Sequence, residues 1–140
     1  MAQMTVELRN IGGTEAALGW AGTHTLVVDR PEGKAGGQGL GFNGGQLLAL
    51  AIGGCFCNDL RYVAHARGFA LGGIAVKVTL DLAGDPLLAT GATISVECEM
   101  EDGSDPGPLI AEAERVSTIS NSLKAGVSVR VVSPPTSASG

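Results

Sequence analysis

The sequence predicts an α+β domain in which one long apolar helix separates two groups of strands. Residues 44–68 are the longest apolar segment with few breaks. Shorter segments before and after it alternate apolar and polar side chains, with the period of two that is typical of half-buried strands. Because the helices are grouped between runs of strands, we expect them on one side of the sheets. The predicted order is β-β-β-α-β-β-α-β.

Length and composition indicate a single globular domain. The chain has 140 residues, and we assign the domain to residues 1–133 and a flexible tail to residues 134–140. Apolar residues make up 44% of the chain and charged residues 16%. Since few charges are available to cover the surface of a monomer, we expect some apolar surface to be buried in an oligomer interface.

The same counts exclude several functional classes. A net charge of −5, the lack of a basic run, and only three Phe, one Trp and one Tyr argue against nucleic-acid binding. The N-terminus does not resemble a signal peptide, and polar residues from Asn58 to Arg61 interrupt the central apolar segment before it reaches membrane-spanning length. Three cysteines do not make a disulfide framework. We expect a cytoplasmic protein with free thiols and no cofactor, metal or membrane partner.

Three strands are predicted before the central helix. Residues 3–9 alternate apolar and polar side chains, and residues 16–20 form a second strand that pairs with the first as a hairpin. A third strand over residues 24–29 ends at Pro31, which restricts the residue before it. Residues 32–45 contain seven glycines, but their spacing is not that of a phosphate-binding loop, so we interpret them as a flexible lid or a crossing.

The central helix is predicted to begin after Asn43 and to end at Gly68, an N-cap and a C-terminal glycine respectively. Gly53 and Gly54 in its interior each cost about 1 kcal/mol relative to Ala. Another backbone or a ligand is therefore expected to come close beside Cys55. One face of the helix carries residues at a spacing of three to four: Leu48, Ile52, Cys55, Asp59 and Tyr62.

The segment after the central helix predicts two strands, a helical region and a last strand. Residues 74–82 and 92–100 alternate apolar and polar side chains around a turn. A short amphipathic helix begins near Pro108, marked by Leu109, Ile110, Ala113 and Val116. It runs into a second segment with Ile119 and Leu123, which stops at Gly126. Residues 127–132 are predicted to form the final strand.

Two motifs carry a resemblance to a known family. The helix start reads Asn-Gly-Gly-Gln-Leu-Leu over residues 43–48 and leads to Cys55, and residues 117–123 read Ser-Thr-Ile-Ser-Asn-Ser-Leu. In these motifs and in its order of elements, over nearly its whole length, the chain resembles the OsmC/Ohr family of thiol-dependent peroxidases. The resemblance implies reduction of organic hydroperoxides by Cys55, and an intertwined homodimer whose central helices are buried side by side.

The resemblance also indicates which family site residues this chain has replaced. Active members combine the cysteine at the position of Cys55 with a resolving cysteine, an Arg and a Glu. Ser117 stands at the resolving position and Gly45 at the Glu position. By its spacing, Arg30 is the first candidate for the Arg, and Arg9 is the second.

A peroxidatic cysteine attacks as the thiolate, which needs stabilisation. Cys55 lies about three turns inside its helix, where the helix dipole adds little. Asp59 follows four residues later on the same face, and an ionised carboxylate close to the sulfur would oppose a thiolate. We therefore expect Cys55 to depend on a cation from elsewhere, with Arg30 as the candidate.

Cys57 provides an alternative thiol, because Arg61 lies four residues after it and could support a thiolate there. Cys55 and Cys57 point in nearly opposite directions on a helix, so they cannot form a disulfide without breaking it. Cys98 is expected to pack as a small hydrophobe in the sheet core. The remaining candidates lack the spacing of a metal site: Cys98, His24 and His65.

Two functional hypotheses follow. Without a resolving cysteine, a peroxidase would run a one-Cys cycle, in which an external small or protein thiol reduces the sulfenic acid of Cys55. The alternative is a non-catalytic homodimer that binds a small apolar ligand at the dimer cleft, where Gly44 and Gly45 leave the helix start open.

Overall fold

A computed structural model of the chain describes residues 1–132. The fold begins with an antiparallel sheet in the order β1-β2-β3: β1 (Glu7–Asn10), β2 (Ala17–Ala21) and β3 (His24–Val28). The predicted hairpin forms, with Leu8 opposite Gly19 and Gly19 opposite Leu26. The prediction of a half-buried first strand over residues 3–9 is wrong in part, because the strand begins at Glu7 and its residues are exposed. Both leucine side chains lie 3.5 Å from where a Gly19 Cβ would be, so they meet over this glycine on one face of the sheet.

The glycine-rich segment after β3 is tied to the sheet by one buried acid. Asp29 is 5% exposed, and its carboxylate accepts hydrogen bonds from the backbone N–H groups of Gln38, Leu40 and Arg30. Phe42 extends the contact by donating its N–H to the Val27 carbonyl and accepting from the Asp29 N–H. The segment is therefore a hydrogen-bonded crossing from β3 to the long helix and not a flexible lid, the other interpretation of the sequence.

The long helix α1 spans Gly44–Arg67. As predicted, Asn43 caps its start, where the Asn43 side chain accepts from the Gln46 N–H and the Gln46 side chain accepts from the Asn43 N–H. Gly68 ends the helix with a φ of 70°, in the left-handed region that favours glycine. The prediction that Tyr62 belongs to the packed face is wrong, because its side chain is 71% exposed.

Strands β4 (Leu71–Ala83) and β5 (Leu88–Met100) form an antiparallel hairpin that covers one side of α1. Both are longer than predicted, because the turn between them is short and the alternation weakens before pairing ends. A Cβ on Gly53 would lie 2.9 Å from Val78 Cγ2 of β4. A close neighbour therefore exists at Gly53, but it is a side chain and not the backbone or ligand that was predicted, and a Cβ on Gly54 would meet nothing within 4 Å.

The predicted helical region is two helices, α2 (Gly107–Val116) and α3 (Thr118–Ala125), with a break at Ser117. Ser117 has extended backbone angles, φ −61° and ψ 116°. The core lies between α1, α2 and the β4–β5 hairpin, and its buried members are Phe56, Leu60, Val63, Ala64, Leu71, Met100, Leu109 and Ala113. The α+β class is confirmed.

The last predicted strand does not form in the described chain. Residues 127–132 have no strand hydrogen bonding, and Val127, Val129 and Val131 are exposed. A strand needs the edge of another strand to satisfy its backbone groups, and residues 127–132 pair with neither sheet of residues 1–132. The tail predicted over residues 134–140 lies outside the described residues.

Among the described residues, α1 is the one helix that is long and apolar enough to cross a membrane by length and composition alone. It packs on the β4–β5 hairpin and on α2 through its buried side chains. A core helix of a soluble protein passes the same test, so α1 gives little reason to propose a membrane span.

Candidate functional site

The structure brings together Cys55 and Ser117, which are 62 residues apart in sequence. The Ser117 hydroxyl donates to Cys55 Sγ at a distance of 4.0 Å. Ser117 is 0% exposed, and Cys55 is partly buried. The two motif positions predicted from sequence therefore meet in one site, with the hydroxyl of Ser117 at the position that the resemblance assigns to a resolving thiol.

Asp59 completes a row of three polar side chains. The Cys55 thiol donates to Asp59 Oδ2 at 3.6 Å, as the spacing of four residues on one helix face predicts. Asp59 is 6% exposed. A carboxylate in this position opposes negative charge on the sulfur when it is ionised, and it is also placed to accept the thiol proton.

The break between α2 and α3 positions Ser117. Leu109 and Ala113 of α2 are fully buried in the core against α1, which holds the end of α2 over the middle of α1. Asn121 then fixes the break, because its N–H donates to the Ser117 carbonyl at 3.1 Å and its side chain donates to the Arg115 carbonyl at 2.9 Å. Sequence reasoning missed Asn121, although it lies within the second motif.

Arg30 lies at the end of β3, where it serves the N-terminal sheet. Its Nη2 donates to the Glu15 carbonyl at 2.6 Å and to Asp29 Oδ1 at 3.3 Å. Within residues 1–132 it makes no hydrogen bond to Cys55, and its Nε is buried without a hydrogen-bond partner. The other predicted candidate, Arg9, lies with its guanidinium 6.0 Å from the ring centroid of Trp20.

Arg61 was predicted to support a thiolate at Cys57, but its guanidinium is hydrogen-bonded elsewhere. Arg61 donates to the Leu71 carbonyl at 2.8 Å and to the Gly72 carbonyl at 3.0 Å, so its guanidinium ties α1 to the start of β4. Cys57 lines an open cavity of about 460 Å³ together with Leu50 and Gly54.

The remaining sequence candidates lie away from the thiol site. Cys98 packs against the core, as predicted, and burial raises the pKa of its thiol. His24 and His65 are exposed. Gly45, at the family's Glu position, has ordinary contacts around its absent Cβ, the nearest being Asn43 Oδ1 at 3.5 Å and Leu82 Cδ1 at 3.7 Å.

A larger apolar cavity borders the same part of α1. Its volume is about 580 Å³, and it lies between α1, the β4–β5 hairpin, α2 and α3. Ile52 and Phe56 of α1 line it one turn before and one residue after Cys55, and Ser120 and Leu123 line it from α3. Sequence reasoning missed this cavity, because alternation in β5 shows which residues face inward but not how closely the helices cover them.

The chain was compared with models of protein families and with known proteins. The family model described as OsmC-like protein matches residues 36–132. No protein among curated ones matches the chain.

The fold is shared with several solved structures. An OsmC-like protein from Mycoplasma pneumoniae has a TM-score of 0.73 at 14% identity, with 88% of each chain covered. An organic hydroperoxide resistance protein OsmC from Legionella pneumophila has a TM-score of 0.63 at 20% identity, covering 89% of this chain and 90% of that one. A corresponding protein from Elizabethkingia anophelis has a TM-score of 0.62 at 19% identity, with 89% of each chain covered. Because the family model spans more than half of the sequence, the chain belongs to the OsmC-like family.

Proposed function

We propose that this protein is a cytoplasmic thiol peroxidase that reduces organic hydroperoxides through Cys55. The observation that carries the proposal is the contact between Cys55 Sγ and Ser117 Oγ at 4.0 Å. It places the helix cysteine beside the residue that stands at the family's resolving position. Two similar folds, from Legionella pneumophila and Elizabethkingia anophelis, are named organic hydroperoxide resistance proteins.

The proposed chemistry is a one-Cys cycle. The Cys55 sulfur attacks the terminal oxygen of the hydroperoxide, the O–O bond breaks, and an alcohol leaves while Cys55 becomes a sulfenic acid. Ser117 cannot condense with a sulfenic acid to form a disulfide. Cys57 lies on another face of α1, and Cys98 packs against the core. An external thiol therefore forms a mixed disulfide with release of water, and a second thiol restores Cys55.

The apolar cavity supports an organic substrate. Its walls are mainly aliphatic, and it reaches the turn of α1 that carries Cys55. A hydroperoxide with a hydrocarbon group could bury that group here and gain about 25 cal/mol for each Å² of apolar surface. Hydrogen peroxide has no such group, so we expect the enzyme to prefer bulky hydroperoxides.

We further propose a homodimer formed through the outer face of α1. Leu50 is 50% exposed, and Ala51, Gly54 and Tyr62 are exposed on neighbouring turns. Leu8 and Leu26 add an exposed apolar patch on the N-terminal sheet. In such a dimer, Arg30 of the partner subunit is our candidate for the cation that stabilises the Cys55 thiolate, because Arg30 of the same chain makes no hydrogen bond to Cys55 within residues 1–132.

One observation favours the non-catalytic alternative. Asp59 lies beside the thiol, and no hydrogen bond or ion pair within residues 1–132 joins either residue to a cation. Under this hypothesis Cys55 packs as an inert thiol, and a small apolar ligand binds at the dimer cleft. The 580 Å³ cavity within the described chain is a second apolar space of suitable size.

Mass spectrometry of the intact protein separates the two hypotheses. The purified protein is treated with one equivalent of cumene hydroperoxide in the presence of a sulfenic acid trap, and the modified residue is mapped. Peroxidase function predicts rapid oxidation at Cys55 that is lost in Cys55→Ser and retained in Cys57→Ser. Oxidation of Cys55 no faster than that of free cysteine would exclude the enzymatic hypothesis.

A further inference from the structure

Asp59 has an unusual environment for a carboxylic acid. It is 6% exposed, and within residues 1–132 the single hydrogen bond of its side chain is the one from the Cys55 thiol at 3.6 Å. The ion pairs of these residues, Arg30–Asp29, Arg67–Glu112 and Arg115–Glu112, do not include it. Buried acids normally have a cation or several donors around them. Asp59 instead directs an oxygen at the sulfur.

We propose that Asp59 is a catalytic residue that accepts the thiol proton of Cys55 and delivers it to the leaving alcohol. This inference rests on the proposed peroxidase function and adds a residue to its site. As the sulfur attacks, its S–H proton passes to the Asp59 carboxylate. The O–O bond breaks toward the alkoxide, and the carboxylic acid protonates it. The sulfur is oxidised by two electrons, the peroxide is reduced, and Asp59 returns to its initial state.

Among the neighbours of the Cys55 thiol, Asp59 is the group that can accept its proton. Within residues 1–132, the other side chain that is hydrogen-bonded to the sulfur is Ser117, whose hydroxyl acts as a donor toward it. Position 45, where the resemblance implies a Glu, carries no side chain. The carboxylate of this site therefore comes from the residue one turn after the nucleophile, on the same helix. Activation of a nucleophile by an adjacent base within hydrogen-bond reach is a common catalytic arrangement.

Asp59→Asn tests the inference, because the amide keeps the shape of the side chain but cannot carry the proton. The rate of Cys55 oxidation by cumene hydroperoxide is measured in single turnover, beside the rate of alkylation by iodoacetamide, which needs no proton for its leaving group. We expect oxidation to fall about 100-fold, the scale of general acid–base catalysis. Alkylation should fall less, because it needs the thiol proton removed but no proton delivered to a leaving alcohol. Oxidation that is unchanged or faster in Asp59→Asn would overturn the inference and leave the peroxidase proposal standing. The exposed Asp81→Asn is the matched control.

A solvent isotope measurement on the unmodified protein keeps the inference testable if the variant fails to fold. Proton transfer during attack predicts that Cys55 oxidation slows in D₂O more than alkylation does. Equal isotope effects on the two reactions would contradict a role for Asp59 as proton carrier. If Cys55 of the unmodified protein reacts no faster than free cysteine, the proposed function fails and the inference fails with it.

Discussion

At the residue scale, the chemistry of the site depends on an oxygen in place of a sulfur at position 117. Ser117 occupies the place where a second thiol would complete an intramolecular cycle, and its Oγ lies 4.0 Å from Cys55 Sγ. A disulfide needs a sulfur–sulfur distance of about 2.05 Å, so a modest movement at the α2–α3 break would allow one.

Ser117→Cys should therefore convert the one-Cys site into a two-Cys site. After one equivalent of cumene hydroperoxide, we expect a disulfide between Cys55 and the introduced thiol, and a shorter lifetime of the sulfenic acid. Peptide mapping and sulfenic acid trapping measure these two changes. Ser120→Cys, on the next turn, is the control and should form no disulfide. A long-lived sulfenic acid in Ser117→Cys would contradict the proposed geometry of the site.

Arg30→Ala should slow the alkylation of Cys55 by iodoacetamide at neutral pH, because loss of a cation disfavours the thiolate. Arg61→Ala serves as the matched control, since the Arg61 guanidinium donates to the Leu71 and Gly72 carbonyls. Equal alkylation rates in the unmodified protein and in Arg30→Ala would remove Arg30 from the site.

At the element scale, local chemistry made the ends of α1 predictable. The free backbone groups at the two ends of α1 are satisfied by Asn43 with Gln46 and by Gly68. These interactions involve residues that are close in sequence, so the sequence pattern predicts them. The break at Ser117 was not predictable, because apolar residues continue at helical spacing through it. The α2–α3 geometry depends on the Asn121 side chain and on contacts with α1, which are distant in sequence.

Gly53→Ala should lower the free energy of unfolding by about 1 kcal/mol. Overpacking against Val78 costs about 1–3 kcal/mol, and the better helix propensity of Ala offsets about 1 kcal/mol of it. Urea unfolding followed by circular dichroism measures the change. In a double-mutant cycle, Val78→Ala should relieve the clash, so additive effects of the two substitutions would refute this contact as the cause.

The Asp29 carboxylate should make the crossing segment sensitive to acid. The hydrogen bond from the Leu40 N–H is the main cause that lowers the pKa of Asp29, with the Gln38 and Arg30 N–H groups and the Arg30 charge adding to it and burial opposing it. A lowered pKa in the folded state contributes stability above the unfolded pKa of about 3.9, and this stability is lost as the pH falls through the lower folded value.

We therefore expect Asp29→Asn to reduce the urea midpoint at pH 7, with a difference from the unmodified protein that shrinks as the pH falls below about 4. The exposed Asp81→Asn should show no such convergence. A difference that is constant from pH 7 to pH 3 would mean that the charge on Asp29 does not stabilise the crossing.

At the scale of the whole molecule, the sequence predicted the fold class well. It did not predict how the last segment and the outer face of α1 are covered. The α+β class and most elements follow from alternation and capping, which are local. Residues 127–132 alternate as a strand does, yet they have no partner within the described chain. The outer face of α1 is likewise exposed in the described chain, and we propose that a second subunit covers it. The pattern of one chain does not show which surface meets residues 127–132 or this face.

Gly54→Glu should dissociate the proposed dimer without unfolding the chain. A Cβ at this position meets nothing within 4 Å, whereas a charge on the outer face of α1 would be buried in the interface at high cost. Sedimentation velocity should show a dimer for the unmodified protein and a monomer for Gly54→Glu. Ala125→Glu, which adds the same charge at an exposed position of α3, is the control and should leave the dimer intact. A dimer that persists in Gly54→Glu would place the interface elsewhere.

The most direct test of the central claim is the second-order rate constant for oxidation of Cys55 by cumene hydroperoxide. It can be measured by rapid mixing in a variant that retains Cys55 as its single thiol, with Cys57→Ser and Cys98→Ser. The account predicts a rate constant well above that of free cysteine at the same pH, and a lower one for hydrogen peroxide, which has no hydrocarbon group to bury in the apolar cavity. A rate constant equal to that of free cysteine for both peroxides would contradict it.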